Sequence, residues 1–145
     1  MIVEKRPGTY LLWLHCTQPG SVTIGKQGKL YLQPGWYGYV GSALGPGGLY
    51  SRLHHHLSPP ARLHWHIDYL RQSIPVTEIW YSYGSKRREH HWAKILAECS
   101  PSPPPLKGFG SSDCRCPAHL FFFLRQPALE EILQHLGCIK FIGKF

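Results

Sequence analysis

The chain has 145 residues, enough for one hydrophobic core and too few for two, and its 43% hydrophobic and 17% charged residues exclude a disordered polymer. Sixteen Lys and Arg against eight Asp and Glu leave a net charge of +8, which favours a polyanionic partner, while so few acids argue against an enzyme built on paired carboxylates. No apolar run approaches the ~20 residues of a membrane helix, the longest being Leu120–Leu124, so no membrane association is expected.

Thr9–Cys16 is aromatic and apolar with no breaker and predicts a buried strand. Gln18–Gly35 contains Gly20, Gly25, Gly28, Pro34 and Gly35 and predicts a hairpin excursion, with short strands near Val22–Ile24 and Leu30–Leu32. Trp36–Val40 predicts a second strong strand, closed by Gly41. The Gly45–Gly48 loop then precedes a helix whose Leu49, Leu53 and Leu57 share one face, ended by Pro59-Pro60. His66–Arg71 predicts a short helix and Val76–Tyr83 a third strand. Gly84-Ser85 offers a turn and an N-cap for a helix over Lys86–Cys99, with Trp92, Ile95, Leu96 and Cys99 as its apolar stripe. Four prolines between Ser100 and Pro105 require an extended connector, spanning 100–107. Leu120–Leu124 predicts a strand, and Ala128–Leu136 a last helix opened by Pro127. This order makes residues 1–145 a single α+β domain with a C-terminal strand–helix extension.

Three groups of residues have chemical potential. Arg52 and His56, four apart on one helix, project beside the leucine stripe, where a guanidinium and an imidazole are placed to hold a phosphate. Spacing alone favours a solvated helix edge instead. Glu89, flanked by Arg87, Arg88, His90 and His91, is suited to holding a divalent cation against a phosphodiester, or merely to complementing a helix N-terminus. Tyr10 and Tyr39 lie on the two strong strands. They read as packing residues unless their hydroxyls share a cleft with Arg52, where they would orient a water or take its proton.

Gly8-Thr9-Tyr10, then Tyr39-Val40-Gly41, then Arg52-x-x-x-His56, then Glu89, in that order, resemble the GIY-YIG nuclease superfamily. Gly35–Ala43, Leu44–Leu49, His64–Leu70 and Gly108–Cys116 look like the Uri-type branch of small stand-alone prokaryotic domains. The chain departs from that pattern in its long link between the two motifs, in its Gly45–Gly48 insertion, and in Ser42, where many members carry a lysine.

The resemblance implies a small, mainly antiparallel sheet flanked by helices and a one-metal endonuclease acting on DNA with Mg²⁺ or Mn²⁺. A tyrosine, Tyr10 or Tyr39, would activate or position the water. Arg52 would stabilise the phosphate's developing charge, with His56 bordering the cleft, and Glu89 would hold the metal. Tyr10, Tyr39, Arg52 and Glu89 are therefore expected to line one concave surface. Arg62, His66, Lys86, Arg87 and Arg88 are expected to contact nucleic acid, and His64-Trp65-His66 suits a groove wall. The alternative is a non-catalytic nucleic-acid-binding module on the same fold. No obligate protein partner is evident.

Cys114-x-Cys116-x-x-His119, preceded by Asp113, is a possible zinc cluster, with a fourth ligand from Cys99, Cys138, His64 or His66. Its spacing is not a common finger pattern, so buried reduced cysteines are favoured over structural zinc. Five cysteines cannot all pair, and the first residues show no secretory pattern, so a cytoplasmic setting is expected.

Overall fold

Period-two alternation builds the central sheet. Along β1 (Gly8–Cys16), Tyr10, Leu12, Leu14 and Cys16 fall on one face and Leu11 and Trp13 on the other. β4 (Gly35–Ala43) pairs with β1 along its whole length, from Gly8 opposite Ala43 to Cys16 opposite Gly35. β5 (Val76–Tyr83) takes the other side of β1. β6 (Leu120–Phe123) adds outside β4, and β7 (Lys140–Lys144) outside β5. Every pairing is antiparallel, and the strand order is β6-β4-β1-β5-β7. This computed structural model describes residues 3–59, 63, 65–100, 103–110, 118–128, 131 and 140–144.

Both faces of the sheet are covered. β2 (Gly20–Ile24) and β3 (Gly28–Leu32) form a separate ribbon. Its Ile24 and Leu30 join Leu49 and Leu53 of α1 (Gly48–Leu57) and Ile67 and Leu70 of α2 (His66–Arg71) over the face bearing Tyr10 and Leu12. α3 (Glu89–Cys99) lays Trp92, Ala93 and Leu96 on the opposite face, against Trp13, Trp80 and Phe121. Burial on both faces is why β1 reads as an unbroken apolar run rather than an alternating one.

A buried ionic clamp fixes α2 to the end of α1. Arg71 donates through Nη1 to the carbonyls of His56 and Ser58, satisfying orphan acceptors at the α1 C-terminus. Its Nη2 meets Asp68 Oδ1 at 3.2 Å. Asp68, fully buried, also accepts the Trp65 backbone N–H on Oδ2 at 2.9 Å and lies 3.0 Å from His55 Nε2. Asp68 thereby caps its own helix while holding the neighbouring one.

Several expectations differ from the structure. β4 is not closed by Gly41 but runs on to Ala43, because Gly8–Tyr10 of β1 continue the ladder opposite Gly41–Ala43. α3 starts at Glu89, not Lys86, because the chain bends at Ser85–Lys86 after Gly84 and Arg88 takes the N-cap position. Ser85 caps nothing; Glu89 supplies the first-turn negative charge that the helix dipole favours. β6 stops at Phe123, leaving Leu124 70% exposed. β7 has no counterpart in the sequence expectation: a five-residue segment has little local signal, and it forms where β5 offers an unpaired edge. The helix expected over Ala128–Leu136 lies largely outside the described residues. Among the described residues no helix is long and apolar enough to cross a membrane.

Candidate active site at the end of β4

The last residues of β4 join the two layers. Ser42 faces α3 with its side chain, and its Oγ donates to Glu89 Oε1 at 2.8 Å. The Ser42 carbonyl accepts from Arg52 Nη1 of α1 at 3.0 Å. One residue thus holds a carboxylate from one layer and a guanidinium from the other. Arg52 is fixed from a second side by Trp65, whose ring centroid lies 4.4 Å from its Cζ. Tyr39, Ser42, Arg52, Trp65, His66 and Glu89 line a cleft of about 370 Å³, with Arg87 and Gly110 at its wall. Around Glu89, whose side chain is only 12% exposed, stand Arg87 Nη1 at 3.8 Å and His119 Nδ1 at 3.6 Å.

Tyr10 and His56 do not line this cleft. Both are sealed beneath it, and the Tyr10 hydroxyl lies 2.7 Å from His56 Nε2. Burial pushes the Tyr10 phenol up to about 12, although the Arg52 guanidinium beside it pulls the other way. Burial also raises the Tyr39 phenol, reinforced by the charges that Tyr10 and Glu89 carry when ionised. His56 is pushed down to about 3, first by burial and then by Arg71 and Arg52, so its ring is neutral. The Tyr10 hydroxyl and His56 Nε2 share one hydrogen bond, and His56 Nδ1 has no hydrogen-bond partner among the described residues. His56 is therefore part of the buried face, not a rim residue beside Arg52.

The motif glycines are explained by close approach. A Cβ at Gly41 would collide with the Tyr10 hydroxyl and ring, so glycine lets that ring lie across β4. A Cβ at Gly8 would strike the Leu49 side chain and the Ser82 carbonyl, which holds α1 close to the sheet.

Of the expected nucleic-acid contacts, His66 lines the cleft, its Nδ1 accepting the Gly110 N–H at 2.8 Å, and burial lowers its pKa. Arg87 also reaches the cleft, Lys86 is exposed, and Arg88 is half-buried at the start of α3. Arg62, His64, Asp113, Cys114, Cys116 and Cys138 lie outside the described residues, and with them most of the proposed zinc cluster. Sequence reasoning gave no role to Asp68 or Arg71; their i,i+3 spacing behind Trp65 was the available signal.

Two sets of donors could face a cation. His55, His56 and Asp68 bring ligand atoms within 4.8 Å of one another. Asp68 is already engaged on both oxygens, and the Arg71 and Arg52 charges disfavour a cation there. Glu89 fits better: one carboxylate oxygen is held by Ser42, and the carboxylate reaches the cleft. Neither a curated protein nor a solved structure matches the chain. Over residues 9–139 it matches the family described as Domain of unknown function DUF123, and the chain belongs to that family.

Proposed function

We propose that the chain is a divalent-metal-dependent endonuclease that hydrolyses phosphodiester bonds in DNA, on the plan of the Uri-type GIY-YIG domains it resembles. One observation carries the reading: Ser42 holds the Glu89 carboxylate and the Arg52 guanidinium at one cleft. Metal-dependent phosphodiester hydrolysis can use such a pair, an anion to retain a metal ion and a fixed cation to meet charge developing on the phosphoryl oxygens. The net charge of +8 supports a polyanionic substrate.

Arg52 is pre-organised by the Ser42 carbonyl and the Trp65 face, so it reorganises little as the phosphate's charge builds. Tyr39 stays protonated at neutral pH and serves to orient the attacking water by hydrogen bonding rather than to remove its proton. Tyr10 and His56 support Arg52 from below as an uncharged pair. A cation at Glu89, Mg²⁺ or Mn²⁺, would add Lewis-acid polarisation of the phosphoryl group. The raised pKa of both tyrosines favours a second reading, a nucleic-acid-binding module without cleavage.

Incubation with labelled single-stranded, duplex and flap DNA and with RNA, under Mg²⁺, Mn²⁺ or chelator, tests the proposal. Metal-dependent cleavage of DNA is the expected result. Binding without cleavage under every metal would leave the second reading, and cleavage confined to RNA would overturn the substrate.

A further inference from the structure

We infer that the β2–β3 ribbon is a second nucleic-acid contact, which grips the phosphate backbone of duplex DNA beside the segment held in the cleft. The inference rests on the proposed function, because it follows the same substrate beyond the cleft. It gives a role to the long link between the two motifs, where this chain departs from the pattern it resembles.

Alternation along the ribbon separates a buried face from a bare one. Ile24, Leu30 and Leu32 are buried and Val22 packs with them, so the inner face is anchored in the core. The outer face carries Ser21 opposite Tyr31 and Thr23 opposite Lys29, all four exposed. Tyr31 is 71% exposed, and Lys26 is exposed in the turn between the strands. Ammonium groups, aliphatic hydroxyls and a phenol are the donor types that meet phosphate oxygens on duplex DNA. They come together here on one rigid, two-stranded surface.

The charge of this surface is not neutralised. No acidic residue occurs between Glu4 and Asp68 in the chain. Among the described residues, Lys26, Lys29 and Lys107 take part in no ion pair. Lysines without a counter-charge keep their full attraction for a polyanion.

The ribbon is also continuous with the cleft. Gln27, in the same turn as Lys26, donates through Nε2 to the carbonyl of the exposed Lys107 at 2.7 Å. Three residues further on, Gly110 lines the cleft, its N–H donating to His66 Nδ1 at 2.8 Å. Three residues of chain span at most about 10 Å. Phosphates of one DNA strand recur every ~3.4 Å along the duplex axis. A duplex with one phosphodiester in the cleft therefore meets the ribbon turn about three nucleotides away. A hairpin that is merely solvated, in a protein that is basic throughout, is the competing account.

Fluorescence anisotropy of a labelled DNA duplex with the full chain, in the absence of metal, separates these accounts. Lys26→Gln combined with Lys29→Gln removes two phosphate contacts. At ~0.15 M salt affinity should fall roughly 10–30-fold, and the log–log salt slope should fall by about 1.8. Lys94→Gln, at an exposed position of α3 on the opposite face of the sheet, is the control and should change affinity less than about 2-fold. If the double variant binds and responds to salt as Lys94→Gln does, the ribbon is overturned as a contact while the cleft keeps its proposed function. If the unaltered chain binds no duplex DNA at low salt, the proposed function fails and the inference with it. Should the double variant not fold, Lys29→Gln alone gives the answer. A slope lowered by about 0.9 supports the contact, and an unchanged slope overturns it.

Discussion

Ser42 donates its hydroxyl to Glu89 Oε1 at 2.8 Å, and these residues come from elements 47 positions apart in the chain. The bond fixes which carboxylate oxygen is left for a cation, while the Ser42 carbonyl independently holds Arg52. Ser42→Ala removes only the first of these contacts. A hydrogen bond to a charged group contributes about 1.5–3 kcal/mol, so cleavage should fall by about 10–160-fold with nucleic-acid affinity little changed. Single-turnover cleavage and filter binding on the same preparation would separate the two effects.

Glu89→Gln distinguishes an enzyme from a binder. It keeps the side chain's size but removes the charge, and cleavage should fall by ~10²–10³. Metal-free binding to nucleic acid should hold or strengthen slightly, since one repulsive charge is gone. Loss of a first-turn acid from α3 costs well under ~1 kcal/mol, so the melting temperature should barely move. Full activity in this variant would sink the assignment of Glu89 as the metal ligand.

His56 makes stability depend on pH. The unfolded chain takes up this proton near its ordinary 6.5, the folded chain only near about 3. Between those values the unfolded state binds more protons, so the contribution is complete above pH 6.5 and is lost as pH falls toward 3. At pH ~4.5 the loss should reach roughly 2–3 kcal/mol. Urea unfolding at pH ~7.5 and ~4.5 should therefore show a smaller acid-induced drop for His56→Gln than for the unaltered chain. Equal drops would show that another group is responsible.

Asp68→Asn tests the clamp between α1 and α2. It leaves the Arg71 guanidinium buried without its counter-charge, and breaking such a pair typically costs about 3–5 kcal/mol. Chemical denaturation should show a loss in that range. A change below ~1 kcal/mol would mean that Arg71 is held by the α1 carbonyls alone.

Binding should be chiefly electrostatic. On duplex DNA the log–log salt slope should be about 0.9 per phosphate neutralised, and replacing Lys86, Arg87 or Arg88 singly should lower it by up to about 1. The same replacements should weaken binding to unrelated sequences alike. Affinity that stays constant from low to high salt would indicate a different kind of ligand.

Local pattern was enough to locate most of the elements, because each follows from the spacing of apolar side chains within a few residues. The unbroken Tyr10–Leu14 run, the four-residue leucine repeat of α1 and the Trp92/Leu96 stripe of α3 are all of this kind. The order of the motif residues could likewise be read directly. What no local pattern contained was depth. Tyr10 and Tyr39 lie on the same face of neighbouring strands, with ring centroids 6.5 Å apart, yet only Tyr39 lines the cleft. Tyr10 is on the central strand, between β4 and β5, and the α1 residue His56 closes over it. The same packing drew His56 off the rim and left Arg52 on it, one turn earlier on the same helix. Glu89 reached the site because α3 covers the far face and the end of β4 links the two layers through Ser42. Sequence periodicity specifies which side of an element a residue occupies; only the packing of distant elements specifies whether that side is roofed or open.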